Sequence, residues 1–364
     1  MSKKVRYAFV GLGDIAQAAM LPGVAHTGNS EVTALVTGDA KKAEEIGKQY
    51  GVSAAYPYAQ FDALLRSGAI DAIYLATPNW RHAEFILPAL AAGVHVLTEK
   101  PLEVSTALCR QIVDAQRASR AKLMVAYRLH FEPATLDLIA RVRAGELGDV
   151  HLFTATFSQL VDPQNHRVLY GDLAGPVLDM GPYPVNAARY IFGDEPIEVV
   201  SATAGRRGFR ELDDTVAATL RFPGDRIAQF VVSYFGAPCN AYTVVGTRGI
   251  AVMDPGFTYG KPLELHVSHD GEAAHERHRN VDQFGGELRY FSECILEGRD
   301  PEPDAEEGFA DMRVLEGVLA AVKTGAPVLL PPFQRVRRID PAGQLQELRP
   351  RKPKPLVHAA SPTR

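Results

Sequence analysis

Cysteine is scarce in this chain: Cys109, Cys239 and Cys294 are the three present in 364 residues, and they lie far apart. An odd, scattered set supplies neither a disulfide framework nor a Cys-x-x-Cys metal site, and it predicts a reducing compartment. Tryptophan occurs once, as Trp80. No apolar run approaches the roughly 20 residues that a membrane-spanning helix needs. The opening "MSKKVRYAFVG" passes straight into a strand pattern, without the apolar core and cleavage site of a secretory signal, which predicts a cytoplasmic protein. An excess of one charge is missing too. The formal net charge is −4, so neither a nucleic-acid nor a membrane surface is expected. At this length a single hydrophobic core is improbable, and two domains are the expectation.

What the chain does contain is two rhythms. Up to residue 126, short apolar runs at 5–10, 32–37, 72–76, 94–98 and 122–126 alternate with amphipathic stretches at 14–25, 41–50, 82–92 and 106–119. That alternation predicts an α/β fold whose parallel sheet is covered on both faces. After a helical stretch at 133–144, strand-like runs dominate: 150–158, 197–205, 214–222, 226–235 and a hairpin over 241–253. A large, open, mostly antiparallel sheet is expected there. Helices at 284–296 and 305–324 then return to pack elsewhere. Boundaries follow at 1–126 for a dinucleotide-binding domain and 127–334 for an α+β domain. The remaining 335–364 reads as an arm whose five prolines argue against regular structure.

The chemistry begins in "AFVGLGDIAQ". Gly11-x-Gly13-x-x-Ala16 follows a strand and opens a helix, the context that a dinucleotide fingerprint demands. Gly11 permits the tight turn, and Gly13 lets backbone N–H groups approach a pyrophosphate, with Asp14 and Ile15 completing the turn. Ala16 allows close helix–strand packing, and the helix N-terminus favours an anion. The second strand ends "LVTGDAKKA", with Thr37 where an acid would mark NAD. Thr37, Gly38 and Lys42 suit the 2′-phosphate of NADP better, although Asp39 leaves NAD open. Thr77, Pro78 and Asn79 sit at a strand's carboxyl end, where the cofactor crevice lies, and His82 begins the next helix. Glu99, Lys100 and Pro101 close another strand. Proline fixes its own φ and holds the preceding residue extended, so Lys100 is aimed at the crevice rather than left to solvent.

The stretches "FVGLGDIA", "ATPNWRHAEF", "GVHVLTEKPL", "LMVAYRLHFEP", "LDMGPYPVNAARYIFG" and "GTRGIAVMDP" together resemble the glucose–fructose oxidoreductase/inositol dehydrogenase (Gfo/Idh/MocA) family. The resemblance spans the chain to about residue 330. It implies that Lys100 is catalytic, that the Lys100–Pro101 bond is cis, and that Tyr127, Arg128 and His130 lie beside nicotinamide and substrate. Many members carry Asp and His four residues apart where this chain has Asp179 and Tyr183, and the tyrosine variant marks the aldose-oxidising branch. Four-residue spacing puts acid and phenol on one helix face. Arg167 is the candidate for an arginine that usually precedes this segment.

The function expected is therefore an NADP-dependent sugar oxidoreductase acting at C1 of an aldose, with possible reduction of a second sugar by the bound cofactor. Tyr183 takes the proton, Lys100 supports it, and Asp179 orients a sugar hydroxyl or Lys100. A dehydrogenase of a cyclitol or sugar derivative with an exchanging cofactor is the first alternative. A nucleotide-sensing regulator without turnover is the second. An outer sheet face bearing Phe230, Val232 and Tyr234 would need cover. A homodimer or homotetramer through that sheet is expected, with the arm as a strap across the interface.

Overall fold

The computed structural model describes residues 3–359 and 361–363. Its first half contains β1 (Val5–Val10), α1 (Leu21–Thr27), β2 (Ser30–Val36), α2 (Ala40–Tyr50), β3 (Ala55–Tyr56) and α3 (Phe61–Arg66). It continues through β4 (Ala72–Leu75), α4 (His82–Ala91), β5 (His95–Thr98), α5 (Thr106–Ala118) and β6 (Leu123–Val125). The six strands form one parallel sheet in the order β3-β2-β1-β4-β5-β6. β1 and β4 are almost wholly buried, as strands covered on both faces must be. The order reverses between β1 and β4, and a crevice opens there beyond the strands' carboxyl ends. The short pair β3 and α3 was absent from the pattern reading, because two strand residues carry no detectable period.

The chain then runs through α6 (Pro133–Arg143), β7 (Val150–Leu160), α7 (His166–Leu169), α8 (Gly175–Asp179) and α9 (Pro182–Phe192). The strands β8 (Glu198–Gly205), β9 (Thr215–Arg221), β10 (Ile227–Ser233), β11 (Phe235–Gly246) and β12 (Gly249–Met253) follow. Next come β13 (Glu264–His269), β14 (Glu272–Arg277), α10 (Gln283–Glu297), α11 (Ala305–Thr324), β15 (Val328–Leu329) and α12 (Pro341–Gln344). Nine strands pair in the order β14-β13-β12-β11-β7-β10-β9-β8-β15. Every pairing is antiparallel except β7 with β10.

This sheet corrects one expectation. Phe230, Val232 and Tyr234 point inward and are at most 2% exposed. Alternation with period two separates the faces without saying which is inner. The outer face instead carries the intervening set, including Thr154, Thr156, Thr219, Gln229 and Val231, which line a broad concavity of hydroxyls and methyls. Those side chains tolerate water, so the argument from an uncovered aromatic face falls.

Of the returning helices, α10 completes the first half, and α11 lies between the two halves. α10 lays Phe284, Leu288, Phe291 and Cys294 against Tyr7, Phe9 and Tyr74 of the parallel sheet, and Tyr7 and Ser292 hydroxyls lie 2.8 Å apart. α11 packs on both α5 and β8. Buried charges pin these parts together. Arg189, with no exposed surface, pairs with Glu195, Glu307 and Asp311. Arg335, at the start of the arm, pairs with Glu302, Asp304 and Glu307. Removing one member of such a cluster costs about 3–5 kcal/mol, because its partners stay buried without compensation. The arm contains one short helix, α12, and otherwise no regular element among its described residues.

Candidate active site

Gly11 has φ +86, and a Cβ there would lie 2.6 Å from the Ala76 carbonyl oxygen. Only glycine lets the turns after β1 and β4 touch. Above Gly13 a Cβ would meet nothing within 4 Å, so its backbone faces open crevice. Ala16 is fully buried against the sheet, while Asp14 and Ile15 are partly exposed at the turn. Thr77 Oγ1 is buried without a hydrogen-bond partner among the described residues. Pro78 and Asn79 lead into a 3-10 turn beside it. An open glycine cradle with an orphaned hydroxyl across from it fits a dinucleotide.

At the end of β2, Thr37 Oγ1 accepts the Asp39 N–H at 3.3 Å, and Gly38 packs over Tyr58. Asp39 caps α2 by accepting from Lys42 N at 3.0 Å, and its other oxygen lies 2.8 Å from His358 Nδ1. The carboxylate thus has partners other than a ribose. His82 does not reach the crevice. It is fully buried, with Nδ1 3.0 Å from the Pro101 carbonyl and Nε2 3.1 Å from that of Thr77. Burial pushes it down to about 4, so it is neutral and donates to one carbonyl at a time. His82 therefore positions the loop that carries Lys100 instead of touching cofactor.

Lys100 precedes a cis proline and projects across to the second half. Its ammonium donates to the Asp179 carbonyl at 2.6 Å and to Asp179 Oδ1 at 3.1 Å. Oδ2 of Asp179 accepts from the Tyr234 hydroxyl at 3.0 Å and pairs with Arg167 at 3.3 Å. Burial alone would push Asp179 up. Arg167, Lys100 and the Tyr234 hydroxyl overcome it and hold the carboxyl well below the usual carboxylate range. Arg167 also feels Asp14, which links the cofactor turn to the substrate side. Half-buried Tyr183 has its ring between Lys100 Nζ (4.9 Å) and the Arg128 guanidinium (5.0 Å), with Phe157 edge-on at 5.2 Å. Lys100, Tyr127, Arg128 and Tyr183 line one small cavity.

Three details differ from the expected arrangement. Asp179 and Tyr183 do not share one helix: α8 ends at Asp179 and α9 begins at Pro182, whose missing N–H interrupts the ladder. Both still converge on Lys100. Arg128 is 5% exposed and donates to the Phe257 and Thr258 carbonyls and to Gln283, so it builds the wall behind Tyr183. His130 is buried 2.8 Å from Asn186 Oδ1, behind the lining that Asn186 contributes to the cavity. Tyr127 keeps its place in the lining, although its phenol turns towards Asp311 and Glu307, whose charges add to burial in pushing it up. The pattern reading missed Tyr234, whose face was inverted. Trp80 packs on Tyr170 with centroids 4.5 Å apart and the rings tilted by 35°, joining the two halves.

A second acid pair lies beneath Lys100. Tyr74 donates to Glu99 Oε1 at 2.7 Å, whereas fully buried Glu287 has no partner for either oxygen among the described residues. Burial, then the charge of Glu99, pushes Glu287 far above its ordinary range. Burial pushes Glu99 up as well, but Tyr74, Lys100 and Arg128 oppose it, so of the two Glu287 holds its proton more firmly. With the folded pKa above the unfolded value of about 4.3, the favourable contribution of Glu287 is complete below that pH. It is lost as pH rises toward the folded pKa. Glu287→Gln keeps the shape without the ionisation. Its Tm relative to wild type is expected to climb by a few degrees between pH 4 and pH 8. Thermal melts across that range check this; a pH-independent difference would show that folding does not raise the pKa of Glu287.

Comparison with known proteins accords with this geometry. Residues 5–127 match the model of an oxidoreductase family with an NAD-binding Rossmann fold, and residues 135–252 match a GFO/IDH/MocA C-terminal domain. The chain is 32% identical over 336 residues to a D-xylose 1-dehydrogenase [NADP(+)] of Haloarcula marismortui, covering 90% of this chain and 93% of that protein. Among solved structures, the aldose-aldose oxidoreductase of Caulobacter crescentus complexed with glycerol superposes with a TM-score of 0.85. It is 34% identical, with 90% of this chain and 100% of that one covered. A 3-ketoreductase from Actinomadura kijaniata, in complex with TDP-benzene and NADP, gives 0.78 at 27% identity, over 89% and 98% of the two chains. With both domain models matched and a Lys–Asp–Tyr cluster facing a dinucleotide crevice, this chain belongs to the Gfo/Idh/MocA family of oxidoreductases.

Proposed function

We propose that this protein is an NADP-dependent oxidoreductase that transfers hydride between the nicotinamide and C1 of an aldose, releasing a lactone, and that the bound cofactor can then reduce a second sugar. The observation that carries the reading is Lys100 held by both the carbonyl and the carboxylate of Asp179, with its ammonium over the Tyr183 ring. NADP is favoured by Thr37 in the acidic place and by an Asp39 already engaged as a helix cap. The NADP-linked names of the xylose dehydrogenase and 3-ketoreductase relatives support it.

Gly11, Gly13, Ala16 and Thr77 would hold the dinucleotide, Thr37, Gly38 and Lys42 its 2′-phosphate, and Glu99 the nicotinamide end. Oxidised NADP, when bound, supplies the hydride acceptor. An ammonium has three N–H donors. Two of those on Lys100 go to Asp179, which leaves one for the sugar oxygen. Tyr183, having first given up its own hydroxyl proton to solvent, accepts the proton of the anomeric hydroxyl as the C1–H bond breaks, and returns it in the reverse direction. Asp179 positions Lys100 through Oδ1, and its Oδ2 is taken by Tyr234 and Arg167. Arg167 holds that carboxylate from the cofactor side.

Purified protein is first heat-denatured and the released nicotinamide identified by chromatography. Native protein is then mixed with aldoses, and the 340 nm band of reduced nicotinamide is followed before and after adding a second sugar. A band that rises with an aldose and falls with the second sugar is the expected result. Silence toward every aldose, ketose and cyclitol, in protein that carries cofactor, would make it a nucleotide sensor. The outer face of the nine-stranded sheet, with Val231 half-buried and Ile250 exposed, is the surface through which we propose that two or four copies assemble. A monomeric mass by light scattering at micromolar protein would refute that assembly.

A further inference from the structure

The arm beyond β15 is fastened at several separate points, and its route crosses the crevice. Arg335 anchors its root in the buried ionic cluster. The Leu348 carbonyl accepts from Asp282 N, at the start of α10, at 2.7 Å. Lys354 then lies 4.5 Å over the Tyr50 ring, and Gln49 Nε2 donates to the Pro355 carbonyl at 3.2 Å, both on α2. Val357 is 5% exposed and joins the apolar cluster of the first half. Its N–H donates to Gln17 Oε1 at 2.7 Å and its carbonyl accepts from Gln17 Nε2 at 3.0 Å. A single buried side chain on the turn that follows the glycine cradle thus pairs with both backbone groups of one arm residue.

His358 comes next, 2.8 Å from Asp39 at the end of β2. Its φ of +44 lies in the left-handed region that non-glycine residues adopt only when their surroundings impose it. That turn sends the chain from one half of the molecule to the other. Asp162 N, just past β7, donates to the Pro362 carbonyl at 3.0 Å, and Thr363 bridges to Val161. The arm is therefore tied to Gln17 and Asp39 on one bank and to Val161 and Asp162 on the other. The glycine cradle and Thr37 lie at the crevice between, with Asp14 and Arg167 within reach of each other's charge.

We infer that the end of this arm is part of the cofactor site: the Gln17–Val357 and His358–Asp39 pairs close the adenosine end of the crevice over NADP and keep it from leaving between turnovers. The inference rests on the NADP reading above. His358 has a second task within it. With one Asp39 oxygen on the α2 cap and the other on His358, that carboxylate is less free to take a ribose diol. A bound 2′-phosphate would then be left to Thr37, Gly38 and Lys42. The arm thereby makes sugar-to-sugar transfer through a resident cofactor the natural cycle, because exchange with free NADP requires one bank to be released.

The test compares the full chain with a chain ending at Leu356, and with the point variants Val357→Asp and His358→Ala in the full-length protein. The dissociation rate of NADPH is read from its fluorescence after adding excess NADP+, and cofactor content is measured after gel filtration. The full chain is expected to retain its cofactor through the column. The shortened chain and Val357→Asp are expected to release NADPH at least 100-fold faster and to need added NADP for sugar-to-sugar transfer. His358→Ala should reduce the preference for NADP over NAD about tenfold. Release at the wild-type rate from Val357→Asp, with circular dichroism unchanged, would overturn the arm's role and leave the proposed function standing. A full-length chain that binds no NADP(H) would overturn both.

Discussion

Tyr183→Phe is expected to lower aldose-dependent reduction of the cofactor by 10²–10⁴-fold, the usual worth of a positioned acid–base group, and to leave cofactor binding intact. The substitution removes one oxygen and nothing else. The ring stays packed against Phe157 and Phe257 and beneath the cations of Lys100 and Arg128, so the cavity keeps its shape. What is lost is the acceptor for the anomeric proton. Because that loss appears only as C1–H breaks, kcat should fall with little change in KM. Single-turnover measurement of the 340 nm band checks the rate, and the nicotinamide released on heating checks occupancy. A folded variant with near-normal turnover would move the proton acceptor away from Tyr183.

Lys100→Ala should be as damaging by a different route. It removes the donor to the sugar oxygen and leaves Asp179 with Arg167 and the Tyr234 hydroxyl for partners. Asp179 stays charged and its charge is then matched by Arg167 alone, so the site loses the surplus positive charge just where negative charge develops on the sugar oxygen. A loss of at least 100-fold in kcat/KM is expected. Lys100→Arg should not restore it, because a planar fork cannot reproduce the two donations to Asp179 and still aim a third. Activity of both variants, measured alongside NADP content, separates this from a failure to bind cofactor. Turnover of Lys100→Ala within a few-fold of wild type would reduce Lys100 to a structural partner of Asp179.

The parts of this molecule that could be read without coordinates are those in which one residue type has a single mechanical use. Gly11 marked the turn after β1 because no side chain fits against Ala76. Proline after Lys100 marked the end of β5, and alternating helix and strand periods marked the parallel sheet. The failures share a cause, which is that their determinants lie far apart in the chain. Tyr234 was assigned to the wrong face because alternation has no inside or outside until α8 and Asp179 are seated above it. His82 looks like a crevice residue until its ring is found between two carbonyls, one contributed from Pro101. Glu287 sits among apolar neighbours on α10, where no local pattern announces a buried acid. The arm's prolines argue against regular structure, yet one of them opens α12, and the path over Gln17 and Asp39 is set by contacts that no spacing encodes.

The return of α10 to the parallel sheet has a consequence for how this protein is made. The face of β1 and β4 that carries Tyr7, Phe9 and Tyr74 is closed by Phe284, Leu288 and Phe291. During synthesis those aromatic side chains emerge from the ribosome early and then wait, uncovered, until the whole second sheet has been translated. The nascent chain must therefore keep a half-finished apolar layer from sticking to its neighbours, which makes chaperone attendance and slow release from the ribosome more important here than for a self-sufficient N-terminal domain. It also fixes an order of events: a nucleotide can meet a finished pocket only after the last helices have emerged, so cofactor loading belongs to the end of biogenesis.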